Sequence, residues 1–296
     1  MESFQLLKER KRHQIYSIRT YHWRRIIIME RTKKAWVNLV FLLATLAVNA
    51  LGAFGFINGL SQKDISDRYL TLITPSPSTF SIWSVIYTLL IISLIVMIVK
   101  KDDPYYQQAI DEITGLFRIS CIMNIAWIIL FSYLLIDVST LLILGFAIAL
   151  ALICLKLLKI QTGRRFLLPL TFGLYTGWLF IASVANASAA LVKMEWNGFG
   201  LPAETWAVIM IIVAVALVFV VLLRVKNAAF PLPIAWAFFG IYQFQNSPLG
   251  FKGQYKLVPM VALVGMVVLI GLAAIQLYRN KFSVIPQGAP LAPLRK

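Results

Sequence analysis

The chain repeatedly runs through about twenty apolar residues without a charge, and this decides its class. A helix needs roughly 20 such residues to cross the hydrocarbon core of a bilayer. Eight candidate spans can be read, at about residues 36–60, 80–99, 117–136, 139–158, 166–191, 205–223, 228–245 and 257–278. A soluble protein of 296 residues has no interior that could hide 60% hydrophobic residues at a mean hydropathy of +0.80. A transmembrane β-barrel would instead show segments of about ten residues with alternating polarity, and these runs do not alternate. The expected fold is all-α, a polytopic transmembrane helix bundle of about eight spans. The seventh span is the weakest: it is short, opens on Phe230-Pro231-Leu232-Pro233 and ends in Gln243 and Gln245. A re-entrant or interfacial segment is the alternative there.

Charge orients the bundle. The net charge of +16 comes from 28 basic residues lying between the apolar runs and in the N-terminal tail. With the N-terminus inside, all but five (Lys63, Arg68, Lys193, Lys252 and Lys256) fall on cytoplasmic segments. Such an asymmetry is the positive-inside pattern. It supports eight alternating spans with both termini cytoplasmic, in a multi-pass protein expected in a bacterial plasma membrane. The same distribution argues against a nucleic-acid partner and leaves membrane lipid as the natural one.

Residues 1–35 form a basic cytoplasmic tail without a secretory h-region or cleavage site. Residues 1–28 read either as a tail resting on anionic lipid or as an over-extended start ahead of Met29. The Pro/Gly-rich residues 279–296 read as a disordered C-terminal tail.

The spans lack the groups that carry acid–base chemistry. Their ionizable residues, Arg118, Asp137, Lys156 and Glu204, sit at predicted span ends, and His13 and His22 lie in the N-terminal tail. Intramembrane charges mark proton relays and ion-coupled transport, so these activities are disfavoured. No GxSxG, HExxH or Walker sequence occurs. No catalytic residue or metal site is expected. Cys121 and Cys154, inside apolar runs, read as buried free thiols.

Aromatic and amide side chains recur at helical spacing instead. Trp83 and Tyr87 stand one turn apart behind the prolines of TPSPSTF. Asn124, Trp127 and Phe131 share a face, as do Trp178, Ala182 and Asn186. Trp127 and Trp178 lie too deep to be interface anchors, which leaves helix packing or a pocket. Asn49 and Asn186 can bond a neighbouring helix or meet a ligand's polar atom. The pairs Gly55/Gly59 and Gly173/Gly177 suit close helix contact, within the chain or across a homodimer.

Three blocks then become recognisable. DISDRYLTLITPSPSTFSIWSVIYTLL, NIAWIILFSYLL and GLYTGWLFIASVANASAALVKMEWNGFG resemble, in order, the TspO/MBR family of tryptophan-rich sensory or translocator proteins. The resemblance covers residues 36–191 and implies a five-helix TspO-like core there. Residues 192–278 are then three additional spans, as in an extended branch where segments like AWAFFGIY recur. It further implies a pocket between helices, closed by a lid at residues 61–79 and lined by Trp83, Tyr87, Asn124, Trp127, Phe131, Trp178 and Ala182. The ligand it implies is flat and hydrophobic, a porphyrin above all; no cofactor is expected beyond such a tetrapyrrole ligand. A binding or sensory protein without enzymatic turnover is the expected function, and a transporter of a tetrapyrrole- or sterol-like molecule without ion coupling is the alternative. One departure bears on chemistry: where family members often carry another aromatic shortly before the F-x-x-W element, this chain has Ser78 or a neighbour, which disfavours tryptophan-based porphyrin chemistry. A sterol-type pattern at Leu272, Tyr278 and Lys281 is common by chance.

Overall fold

The computed structural model describes residues 29–162 and 165–287. The tail at 1–28 and residues 288–296 lie outside the described residues. Helices account for nearly all of the rest: α1 (Met29–Ala53), the short α2 (Gln62–Arg68), a 3₁₀ turn (Pro77–Ser81), α3 (Ile82–Val99), α4 (Pro104–Ser132), α5 (Ile136–Lys159), α6 (Leu167–Lys193), α7 (Ala203–Val225), α8 (Leu232–Asn246) and α9 (Leu257–Arg279). The all-α polytopic bundle expected from the apolar runs is the fold observed.

Seven of the described helices are long and apolar enough to cross a membrane. The short one, α8, has 15 residues, about 22 Å at 1.5 Å per residue against a hydrocarbon core of roughly 30 Å. It still makes an eighth passage. The chain before it, at Asn227, bonds Pro169 O at the start of α6, and Gln245 at its far end bonds Leu72 O in the first loop. The missing length is supplied by the turn at 227–231, in which Ala228, Ala229 and Phe230 are buried. Irregular backbone is tolerated at membrane depth where protein satisfies it. Here Ala228 N donates to Val284 O and Ala229 N to Asn227 Oδ1.

Polar contacts fix the ends of the other passages. Arg31 pairs with Asp111 at 2.7 Å and Lys156 with Glu112 at 2.8 Å at one end. Lys193 pairs with Asp137 at 3.0 Å at the other. Asn280 Nδ2 donates to Lys226 O, and Leu257 N to Glu204 Oε1. Residues 29 and 287 therefore lie at the same, basic end of the bundle.

Two boundaries differ from the sequence reading. The third span begins at Pro104, where Asp103 caps the helix by accepting from Tyr105 N and Tyr106 N. Arg118 is consequently midway along α4, where its Nε donates to Asn38 Oδ1. The apolar run begins late because the first half of α4 spends its polar residues on α1 and α5. Gly55 and Gly59 both have positive φ, so they shape the turn after α1 and form no helix-packing face.

The C-terminal tail is also corrected up to Gln287. Val284 and Ile285 are buried, and Arg165, 2% exposed, donates from Nη1 to Ile160 O at 2.8 Å and from Nη2 to Pro286 O at 2.6 Å. Hydrogen bonds from a charged donor contribute about 1.5–3 kcal/mol each. Arg165→Ala is therefore expected to destabilise the protein by roughly 2 kcal/mol and to make the chain after Asn280 sensitive to protease. A cleavage rate equal to that of the unaltered protein would show that this strap, residues 281–287, is held otherwise.

Candidate functional site

Beneath the first loop lies a cavity of about 410 Å³, within the range of small-molecule sites. Its walls come mainly from four helices, with Ala53 at the end of α1 at the margin. Trp83 stands on α3, Trp127 and Phe131 on α4, and Trp178, Ala182, Ala185 and Asn186 on α6, with Ala237 and Ile241 on α8. The roof is the loop itself, with Gln62, Lys63, Ser66, Tyr69, Thr71 and Thr74 turned to the cavity, and Phe80 closing the corner. The walls are thus largely apolar, and the roof mixes these polar groups with Ile73, Pro75 and Pro77.

The roof is built by local rules. Ser61 and Asp64 form a reciprocal capping box at the start of α2. The Ser61 hydroxyl and then its backbone amide hold the Asp64 carboxyl below its usual value. Lys63 pairs with Asp67 one turn on. Pro77 starts the 3₁₀ turn that delivers Phe80 and Trp83 to the cavity.

Five of the seven expected site residues line the cavity: Trp83, Trp127, Phe131, Trp178 and Ala182. Their rings also hold one another. Trp83 stands perpendicular to Trp178 at 5.9 Å, and Phe80 to Trp178 at 5.9 Å. Trp127 is tilted against Phe131 at 5.6 Å. Trp178 is 3% exposed, and its Nε1 finds no acceptor among the described residues. Asn186 bridges both readings made for it. Its Nδ2 donates to Ile136 O, Ser139 Oγ and Thr140 Oγ1 on α5, and its Oδ1 accepts from Trp127 Nε1 at 3.1 Å, fixing that ring's orientation.

Tyr87 and Asn124 are not among the residues lining the cavity. Tyr87 stacks behind Trp83 at 5.0 Å, and its hydroxyl donates to Asn49 Oδ1 at 2.9 Å. Asn49 Nδ2 donates to Asn124 Oδ1 at 2.8 Å, and Asn124 Nδ2 to Tyr175 OH at 3.1 Å. The four side chains form one polar chain joining α3, α1, α4 and α6. A polar group in an apolar interior must find a partner, and these find each other. Sequence spacing put Asn124 on the correct face of α4 without showing that Asn49 and Tyr175 occupy the space opposite.

The sequence reading missed Ala237 and Ile241. The signal was the AWAFFGIY segment, whose small residues allow close approach. It also missed the partner of the Gly173/Gly177 pair. A Cβ on Gly173 would lie 2.4 Å from Asn227 Oδ1, and one on Gly177 would lie 2.1 Å from Phe230 O. The small face of α6 is occupied within the chain, by the turn that leads into α8.

Fold and site together define an integral membrane protein of helical-bundle type with an aromatic cavity under its first loop. A family model for TSPO-like proteins matches residues 35–275, and the chain belongs to this family. The match runs through α7 and α8 and most of α9, so the family relationship extends well past the five-helix region. Comparisons with curated proteins and with solved structures each returned no significant match.

Proposed function

We propose that this protein is a membrane binding or sensory protein for a flat hydrophobic ligand of the porphyrin type, held among α3, α4, α6 and α8 without turnover. The observation that supports this reading is the cavity itself. Four large rings (Trp83, Trp127, Phe131 and Trp178) converge on one space from three helices, which is how an apolar site presents area to a planar molecule. Ring–ring contacts contribute about 0.5–1.5 kcal/mol each beyond area burial. The polar side chains of the roof, Gln62, Lys63, Ser66, Thr71 and Thr74 among them, suit a ligand with polar groups along one edge. The basic end of the bundle carries both ends of the described chain, and the positive-inside rule supports a cytoplasmic orientation for that end.

The test is tryptophan-fluorescence quenching of the detergent-purified protein by protoporphyrin IX. Saturable quenching at micromolar ligand is expected. Trp83→Ala and Phe131→Ala should each weaken it about tenfold or more, the equivalent of roughly 1.4 kcal/mol. Quenching that never saturates, and is the same in both variants, would overturn the reading.

A further inference from the structure

The eighth helix is fixed on two sides. Toward the first loop, Ser76 N donates to Gly240 O at 2.9 Å, Trp236 Nε1 donates to Thr79 O at 2.9 Å, and Gln245 Nε2 donates to Leu72 O at 2.6 Å. Gly240 permits this approach, since a Cβ there would fall 2.0 Å from Thr79 Oγ1. On the side of α9, the Phe238 ring sits against Gly265, where a Cβ would lie 2.7 Å from its Cε2. A helix held this way cannot retreat to make room, because close-packed interiors yield little. Ala237 and Ile241, one turn apart and so on one face, are the two residues that α8 gives to the cavity.

We propose that α8 sets the largest ligand the cavity admits, with Ala237 and Ile241 as its size-determining residues. This rests on the ligand-binding reading above. Ala237 leaves depth opposite the aromatic walls that a broad fused-ring body needs and a narrow one does not. Trp83, Trp127 and Trp178 hold the rings of either. Because the wall is pinned, bulk added at residue 237 is taken from the ligand's space, and bulk removed at residue 241 restores some of it.

The experiment compares two planar ligands of different breadth, protoporphyrin IX and 1-aminoanthracene, on the purified full chain. Ala237→Phe is expected to weaken protoporphyrin IX at least tenfold while changing 1-aminoanthracene less than threefold. Adding Ile241→Ala to it should recover much of the loss. Ala237→Leu, a smaller intrusion, should fall between and serves if the phenylalanine variant does not fold. Wild-type binding of both ligands with no selective loss in either residue-237 variant would overturn the role of α8 while leaving the binding reading intact. Failure of the wild-type protein to bind either ligand would overturn both.

Discussion

Gly177→Val is expected to cost the protein about 3 kcal/mol, the upper part of the range for overpacking a tight interior, and to cut the yield of folded material. A Cβ at this position would stand 2.1 Å from Phe230 O and 3.2 Å from Pro233 Cδ. The obstacle is a backbone carbonyl, which cannot swing aside as a flexible side chain can. The turn that carries it is pinned through Asn227 to Pro169 O and through Ala228 to Val284 O. To admit the new methyls, α6 must leave the turn, and Trp178 and Ala182 on α6 must leave the cavity wall. Gly115→Ala is the control. It is also a mid-helix glycine, but nothing lies within 4 Å of where its Cβ would stand. That substitution should be neutral or stabilising by up to about 1 kcal/mol. Thermal unfolding in one detergent compares the two, and equal effects would contradict the close approach of α6 to the turn.

Asn124→Leu should be the most damaging change within the polar chain, at about 2 kcal/mol. Asn124 is fully buried and its amide bonds two other members, accepting from Asn49 and donating to Tyr175; Asn49 also bonds two but is only partly buried. Leucine leaves both partners short of a bond, and a buried group left without one costs about 1–3 kcal/mol. Bonds between membrane helices average near the low end of such figures, so the loss of both stays near about 2 kcal/mol. Tyr87→Phe removes only the terminal bond to Asn49 and should cost about 1 kcal/mol or less. The double variant should lose less than the sum, since the members act as one network. Ligand affinity should fall far less than in Trp83→Ala. If Asn124→Leu abolished binding with stability unchanged, the polar chain would be a ligand site and the wall assignment would be incorrect.

Much of this was legible in the sequence because membrane burial writes itself as long apolar runs. The eight passages and the placement of Trp83, Trp127, Phe131, Trp178 and Ala182 follow from hydropathy, helical spacing and family resemblance. Spacing states which residues share a face but not what faces them. Spacing and resemblance thus point Tyr87 and Asn124 to a ligand, whereas the structure pairs them with Asn49 and Tyr175. The role of α8 was hidden for another reason. Its crossing is completed by a buried non-helical turn, whose backbone bonds to Asn227 and Val284 leave no pattern in hydropathy. The strap at 281–287 was obscured because proline and glycine near the end of a chain resemble a loose tail, whereas one buried arginine, Arg165, draws it to the bundle.

The most direct test is to locate the ligand. A protoporphyrin carrying a diazirine, photolysed with the full chain in nanodiscs, should label α3, α4, α6 and α8 around Trp83, Phe131, Ala182 and Ile241, and unlabelled protoporphyrin IX should suppress that labelling. Labelling spread over the lipid-facing sides of α1, α5 and α7, and unaffected by competitor, would contradict a binding site under the first loop.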